Sequence, residues 1–382
     1  MFFRKFIRIV LLALGAVYFN SPAAYADGPT LPIPINIEKL ESVKIGEARE
    51  FWVSLPDQYA ESSEKYPVLY MMDGDFNFNS GGIGGLRHAA QLGEIPEFII
   101  VGIRNTDRSK DIFPEEVTYP DGSKDGGRAN QYLDFIREEL IPYIDKNYRS
   151  ENFRVLYGTS NTGFTAVYAL FRNPELADAT IAASATLSVP SFHSQRDKLI
   201  RDFKGGKRRL SLVMGEHDLP TVVSLNGALM EKIDYFAPAG LTCRLTLIEN
   251  AGHVPADALL EGLTSLFAGW KISQSLTEST FGEIRAQVEK RLEKYGVPGK
   301  LPEDSLRDLG GSLLGEKKYG KALDVSQYRV ECYPRSADAR VSLGDAYRES
   351  GQPDKARECF KQALALVPGH AAATTKLKEL EK

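Results

Sequence analysis

Between residues 51 and 270 short apolar runs alternate with stretches of helical periodicity, and this alternation restricts the chain to very few layer architectures. Phe51-Trp-Val-Ser-Leu55, Pro67-Val-Leu-Tyr-Met-Met72, Phe98-Ile-Ile-Val-Gly-Ile103, Arg154 to Tyr157, Ala179 to Ala183, Leu210 to Met214 and Leu245 to Ile248 read as strands. Several are apolar on both alternations, which suits strands covered on both faces. Tyr132 to Tyr148, Phe164 to Phe171, Val222 to Phe236 and Ala256 to Trp270 supply the covering helices. The expected fold class is α/β with a mainly parallel central sheet. With 43% hydrophobic residues over 382 positions, there is apolar material for one large domain and a small second one.

Ser160 lies in Arg154-Val-Leu-Tyr-Gly-Thr-Ser-Asn-Thr-Gly163, where an apolar run feeds a small-residue turn and then the helix-forming segment Phe164 to Phe171. A strand-turn-helix elbow of this kind holds a serine on a tight bend, with its hydroxyl clear of the sheet. Thr162 stands where a G-x-S-x-G elbow has its second glycine, and Gly163 follows it. Two further signals lie downstream: Gly215-Glu-His-Asp218 after one apolar run and Ala251-Gly-His253 after another. Nucleophile, acid, histidine is the chain order of α/β-hydrolase triads. A serine hydroxyl attacks poorly at neutral pH unless a base takes its proton, and His253 is the candidate base. Asp218 is the candidate acid, because the acid of this fold lies on the loop beyond its strand; Glu216, two residues earlier, is the alternative. The loop Met72-Asp-Gly-Asp75 leaves a strand at its C-terminal end, so the backbone N–H groups of Asp75 and Asn161 are the candidate oxyanion hole. Gly81-Gly-Ile-Gly-Gly85 has no strand before it and no ribose-binding acid after it, and is expected to be a mobile rim of the cleft.

Arg4, Lys5 and Arg8 precede the apolar stretch Ile9 to Phe19, and Ala24-Tyr-Ala26 follows, which is the pattern of a signal peptide over residues 1–26 cleaved after Ala26. The apolar stretch is short for a membrane span, which needs about 20 residues. The expectation is a periplasmic or secreted protein with no stable membrane span after cleavage. The formal charge of -4 becomes about -7 once those three basic residues are removed, a mildly acidic balance that argues against a nucleic-acid partner. Three cysteines, 243, 332 and 359, are too few to staple the chain.

Tyr66-Pro-Val-Leu-Tyr-Met-Met-Asp-Gly74, Val101-Gly-Ile-Arg-Asn-Thr-Asp-Arg108 and Tyr132-Leu-Asp-Phe-Ile-Arg-Glu-Glu-Leu-Ile-Pro-Tyr143, followed by the serine elbow, resemble the putative esterase family of α/β-hydrolases from about residue 35 to 272. That family includes siderophore (enterochelin-type) esterases, feruloyl esterases, S-formylglutathione hydrolases and mycolyl-transferring antigens. The resemblance implies hydrolysis of a small-molecule carboxylic or thiol ester by Ser160, His253 and Asp218. Its elbow often has two glycines after the x, and Thr162 replaces the first. No metal-ligand spacing, phosphate-binding loop or cofactor motif is seen, so chemistry without a cofactor is expected. Acyl and leaving-group pockets in such a fold are built by loops, here Phe76 to Gly85 and Arg104 to Arg128. Arg108 in the second of them reads as a solvated arginine or as a ligand for a carboxylate or catecholate.

The C-terminal part matches itself at an offset of 34: Leu309-Gly310 with Leu343-Gly344, Ala322 with Ala356, and Pro334 with Pro368. This period, with Leu-Gly-x-x-Tyr347, resembles the tetratricopeptide repeat. The expected organisation is a signal peptide (1–26), a hydrolase domain (27–272), a helical linker (273–302) containing the amphipathic segment Phe281 to Tyr295 and the Gly-Pro-rich stretch 296–302, and an all-α repeat module (303–382). Two repeats and a last helix are fewer than usually stand alone, so the module is expected to lean on the hydrolase domain, on a second subunit or on a protein partner. The competing functional reading is a catalytically silent hydrolase fold that recruits a partner through residues 303–382. Cys332 and Cys359 fall too far apart along neighbouring helices to pair, and free thiols are expected.

Overall fold

A mainly parallel sheet forms the centre of the molecule. The computed structural model describes residues 34–382 apart from 58, 62–64, 80–81, 119–120, 271–280, 296–300, 302 and 381–382. The proposed signal peptide lies outside the described residues, as does most of the non-helical part of the linker. The strands in chain order are β1 (Ile35–Ser42), β2 (Glu47–Ser54), β3 (Tyr66–Met71), β4 (Ile99–Ile103), β5 (Glu116–Thr118), β6 (Lys124–Gly126), β7 (Ser150–Thr159), β8 (Ala179–Ala183), β9 (Arg208–Gly215) and β10 (Leu241–Ile248). Eight of them pair in the order β1-β2-β4-β3-β7-β8-β9-β10, while β5 and β6 form a separate ribbon. β1 and β2 run antiparallel to their neighbours. All later neighbours are parallel.

β3, β4 and β8 are buried at every position, as their apolar residues on both alternations require. The helix Ser160–Arg172 packs on β7 and β8 and places Phe164 and Val167 in one body of the core with Leu212 and Leu229. A second body gathers Phe51, Tyr70, Phe135 and Leu156. The expected helix Tyr132 to Tyr148 is an interrupted one: Ala129–Phe135 and Ile141–Asn147 are α-helical, and Ile136–Leu140 between them is a π turn. The turn abuts Pro142, which has no N–H to give to the helical ladder.

The glycine-rich stretch corrects an expectation. Gly82–Gln91 is a helix, not a loop rim, and it buries Ile83, Leu86, Arg87, Ala89 and Ala90. Its apolar positions fall on one face, and Arg87 donates to the Phe98 carbonyl at 2.9 Å and to Ser54 Oγ at 2.9 Å. These tertiary contacts override the poor helix propensity of glycine. The loop from Arg104 to Arg128 is also ordered by charge. Arg49, fully buried, meets Asp111 at 2.7 Å and Glu47 at 2.6 Å, and Arg128 reaches Asp111 at 2.7 Å.

Beyond the sheet, the helix Phe281–Tyr295 is clasped at its C-terminal end. Arg209 on β9 donates to the carbonyls of Tyr295 at 2.9 Å and Lys294 at 2.7 Å, and the Tyr295 ring packs on Phe267 and Trp270. Five helices follow: Glu303–Gly315, Tyr319–Cys332, Ala337–Glu349, Pro353–Leu366 and Ala371–Leu380. The repeated glycine has a steric cause in the second repeat, where a β-carbon on Gly344 would lie 2.3 Å from the Phe360 ring. In the first repeat Gly310 faces the smaller Ser326 at 3.6 Å. Glu303 and Arg329, both buried, pair at 2.6 Å; Ser336 Oγ donates to Glu303 at 2.6 Å and Arg329 donates to Ser342 Oγ at 2.8 Å. No disulfide joins Cys243, Cys332 or Cys359.

Candidate active site

Ser160 opens the helix Ser160–Arg172 directly after β7 and has φ +52°. A non-glycine residue in the left-handed region is uncommon and marks a constrained bend. Packing enforces the bend: a β-carbon on Gly158 would lie 2.2 Å from the Thr162 carbonyl oxygen, and one on Gly163 would press on Ala183 and Ala185 at 3.1 Å. The small residues flanking the serine are therefore required by their neighbours.

His253 sits on the loop after β10. Its Nε2 is 3.0 Å from Ser160 Oγ and its Nδ1 is 2.7 Å from Asp218 Oδ1. The Asp218 side chain is fully buried, while a third of the histidine side chain stays exposed, so the relay opens to solvent only at its serine end. Asp218 Oδ1 also accepts the Leu219 N–H at 2.7 Å. The acid and histidine loops are joined by backbone, since His217 N–H donates to the Ala251 carbonyl at 2.9 Å and a β-carbon on Gly215 would lie 2.2 Å from that same oxygen.

Glu216, the alternative acid, is turned elsewhere and accepts the Asn250 N–H at 3.2 Å. Residues 216 and 218 do not project to one side, as two residues this far apart in an extended strand would. β9 ends at Gly215, and the Asp218 N–H bonds back to the Gly215 carbonyl at 3.2 Å, so a turn replaces the strand alternation there.

Asp75 lies in the first turn of the helix Gly74–Asn79 and Asn161 in the first turn of Ser160–Arg172. First-turn amides have no intrahelical acceptor, which leaves them available to a ligand oxygen. The two loops are adjacent because β3 and β7 pair in parallel, with Met71 opposite Tyr157. Gly74 has no room for a side chain: its β-carbon would lie 2.3 Å from the Gly102 carbonyl carbon.

Two contributors, Ser184 and Asp73, escaped the sequence reading. Ser184, fully buried with φ +49°, donates to Asp218 Oδ2 at 2.6 Å and accepts the Val254 N–H at 2.8 Å, joining the acid to the residue after the histidine. Asp73, also buried and at φ +53°, receives Arg108 through Nε at 2.7 Å and Nη2 at 3.1 Å. Arg108 is thus not simply solvated; it is a bidentate partner of Asp73 through Nε and Nη2 and stays partly exposed. Thr162 donates to the same carboxylate at 2.7 Å. Among the described residues no group of three or more His, Cys, Asp or Glu side chains could hold a metal ion, and no helix is long and apolar enough to cross a membrane.

Sheet order, elbow and the Ser160, His253, Asp218 constellation together define an α/β-hydrolase fold. Residues 42–218 match the family model described as "Putative esterase" and residues 337–370 match the tetratricopeptide repeat. Over residues 42–218 the chain is thus similar to that esterase family, and over residues 337–370 to that repeat. The siderophore triacetylfusarinine C esterase of Aspergillus fumigatus is 30% identical over 178 residues, 42% of this chain and 59% of that protein. The crystal structure of an IroE-like serine hydrolase from Shewanella oneidensis matches with a TM-score of 0.68 at 26% identity, over 78% of this chain and 99% of that one. Siderophore hydrolase EstA from Aspergillus nidulans shares the fold, with a TM-score of 0.54 at 20% identity over 62% of this chain and 95% of its own. The chain spans 49% to 59% of the length of the curated relatives it matches.

Proposed function

We propose that the chain is an exported serine esterase that cleaves a siderophore-type or feruloyl-type ester through an acyl-enzyme on Ser160. The observation that carries this reading is the unbroken relay from Asp218 through His253 to Ser160, with separations of 2.7 and 3.0 Å. His253 Nε2 takes the Ser160 proton as Oγ bonds to the ester carbonyl carbon, and buried Asp218 holds the imidazole in the tautomer with Nδ1–H and stabilises the imidazolium. Charge developing on the carbonyl oxygen is met by the Asp75 and Asn161 amides, at the start of helices where negative charge is favoured. His253 returns the proton to the leaving alcohol or thiol. It then takes one from water, which attacks the acyl carbon and releases the acid, and Ser160 regains its hydrogen. Transfer to a second alcohol in place of water would use the same residues.

The siderophore class is supported by the similarity to the siderophore esterase of Aspergillus fumigatus and to an IroE-like serine hydrolase. Export is supported by the basic, apolar and Ala-Tyr-Ala26 pattern at the start of the chain. Labelling with a fluorophosphonate probe tests the chemistry: the wild-type chain is expected to label and Ser160→Ala to remain unlabelled. A folded wild-type chain that resists the probe would end the esterase reading and favour the scaffold that recruits a partner through residues 303–382. Relative turnover on a hydroxamate triester, a catecholate trilactone and a methyl ferulate ranks the substrate classes.

A further inference from the structure

Two halves of the site converge on one buried carboxylate. From the loop after β4, Arg108 reaches Asp73 at 2.7 and 3.1 Å and Asn105 Nδ2 donates to it at 2.8 Å. From the elbow, Thr162 Oγ1 stands 2.7 Å and Thr159 Oγ1 3.3 Å from Asp73 Oδ2. The chain then passes through Gly74, wedged against Gly102, to Asp75, whose amide is one of the two oxyanion donors in the reading above.

The Thr162 hydroxyl is used in both senses. It accepts the Thr159 N–H at 2.9 Å, and its single proton has the Asp73 carboxylate at 2.7 Å and the Thr159 carbonyl at 2.9 Å within reach. The charged acceptor at the shorter distance takes it. Glycine at this position, as the family's elbow often has, would leave the Thr159 N–H without its acceptor and remove one of the two elbow donors from Asp73. A methyl in place of the hydroxyl would do the same while filling the space.

We infer that Thr162 is a positioning residue that registers the nucleophile elbow against the oxyanion loop, acting through Asp73. This rests on the reading of Ser160 as nucleophile and of Asp75 and Asn161 as oxyanion donors. Arg108 and Asn105 tie Asp73 to the Arg104–Arg128 segment, whereas the Thr162 hydroxyl is the shorter of its two links to β7 and the elbow. Loosening it lets the Asp75 amide shift relative to Ser160 Oγ. A displacement of about 1 Å in such a site costs up to about 100-fold in rate, and the loss falls on the step in which charge develops.

The test uses the full chain and a short-chain p-nitrophenyl ester, with Thr162→Val, Thr162→Ser, Thr162→Gly and Ser160→Ala. Thr162→Val is expected to lower kcat and kcat/KM together by about 10- to 100-fold with KM within about 2-fold, and to weaken a trifluoromethyl ketone transition-state analogue by the same factor. Thr162→Ser restores most of the rate. If the valine variant fails to fold, Thr162→Gly carries the same expectation. A kcat within about 2-fold of wild type in the folded valine or glycine variant, a rise in KM alone, or a serine variant as slow as valine would overturn the inference. Turnover that survives in Ser160→Ala would instead overturn the nucleophile reading, so the two failures are distinguishable.

Discussion

Ser184 gives the candidate relay a second point of support. It bonds Asp218 Oδ2 on one side and the Val254 N–H on the other, so one hydroxyl holds both loops that must stay in register with Ser160. Ser184→Ala removes a buried donor to Asp218 and the acceptor of the part-buried Val254 N–H, and is expected to lower stability by about 1 to 3 kcal/mol in urea melts and kcat/KM by about 10-fold. Asp218→Asn should lower turnover by about 10,000-fold while Glu216→Gln stays near wild type, a comparison read by ester kinetics. The candidate site was partly legible in the sequence because Ser160, Asp218 and His253 each follow an apolar run and come in the chain order of α/β-hydrolase triads. Ser184 carries no such mark. It is one serine after an alanine-rich strand, and only the convergence of strand ends at one edge of a parallel sheet gives it a role. Asp73 was hidden for the same reason, since its partners Arg108 and Thr162 are 35 and 89 residues away.

Elements with strong hydrophobic signals were readable, and those whose order comes from elsewhere were not. Ala179–Ala183 and Phe281–Tyr295 have the bounds that their sequence patterns imply. β1 was missed because Asn36, Glu38, Lys39 and Glu41 dilute its apolar character on the sheet's outer edge, where most of its side chains are at least partly exposed. The helix Pro190–Arg201 was missed because only Phe192 and Ile200 of its residues are buried, too few for a recognisable stripe. The repeat period was legible because its glycines recur, and the second of them has a measurable cost. Gly344→Ala forces a β-carbon against the Phe360 ring and is expected to destabilise the Ala337–Glu349 and Pro353–Leu366 pair by about 1 to 3 kcal/mol. Limited proteolysis should then cut within residues 337–366 at protease levels that leave the wild-type chain intact, whereas Gly310→Ala, with its nearest neighbour at 3.6 Å, should change little.

At the scale of the whole molecule, the sheet and the repeats meet around Glu97. Burial, reinforced by Asp57, Asp304 and Glu303 and opposed by Arg87, pushes its carboxyl up to about 7 from an ordinary 4.5. The native state therefore keeps a proton that the unfolded chain releases near 4.5. This contribution to stability is full below that value, declines as pH rises, and is spent above about 7. Thermal melting of the wild-type chain is expected to fall between pH 5 and pH 8, and Glu97→Gln to flatten that part of the profile. An unchanged slope in the variant would assign the pH dependence to other groups. The module of residues 303–382 is also tied internally by charge, through the buried pair of Glu303 and Arg329 with Ser336 and Ser342. Designers who graft foreign helices onto this scaffold inherit that matched set as a lock. A donor supplying only one of the two ions would bury a lone charge, a penalty of about 3 to 5 kcal/mol that no improvement in surface fit elsewhere in the graft would readily offset.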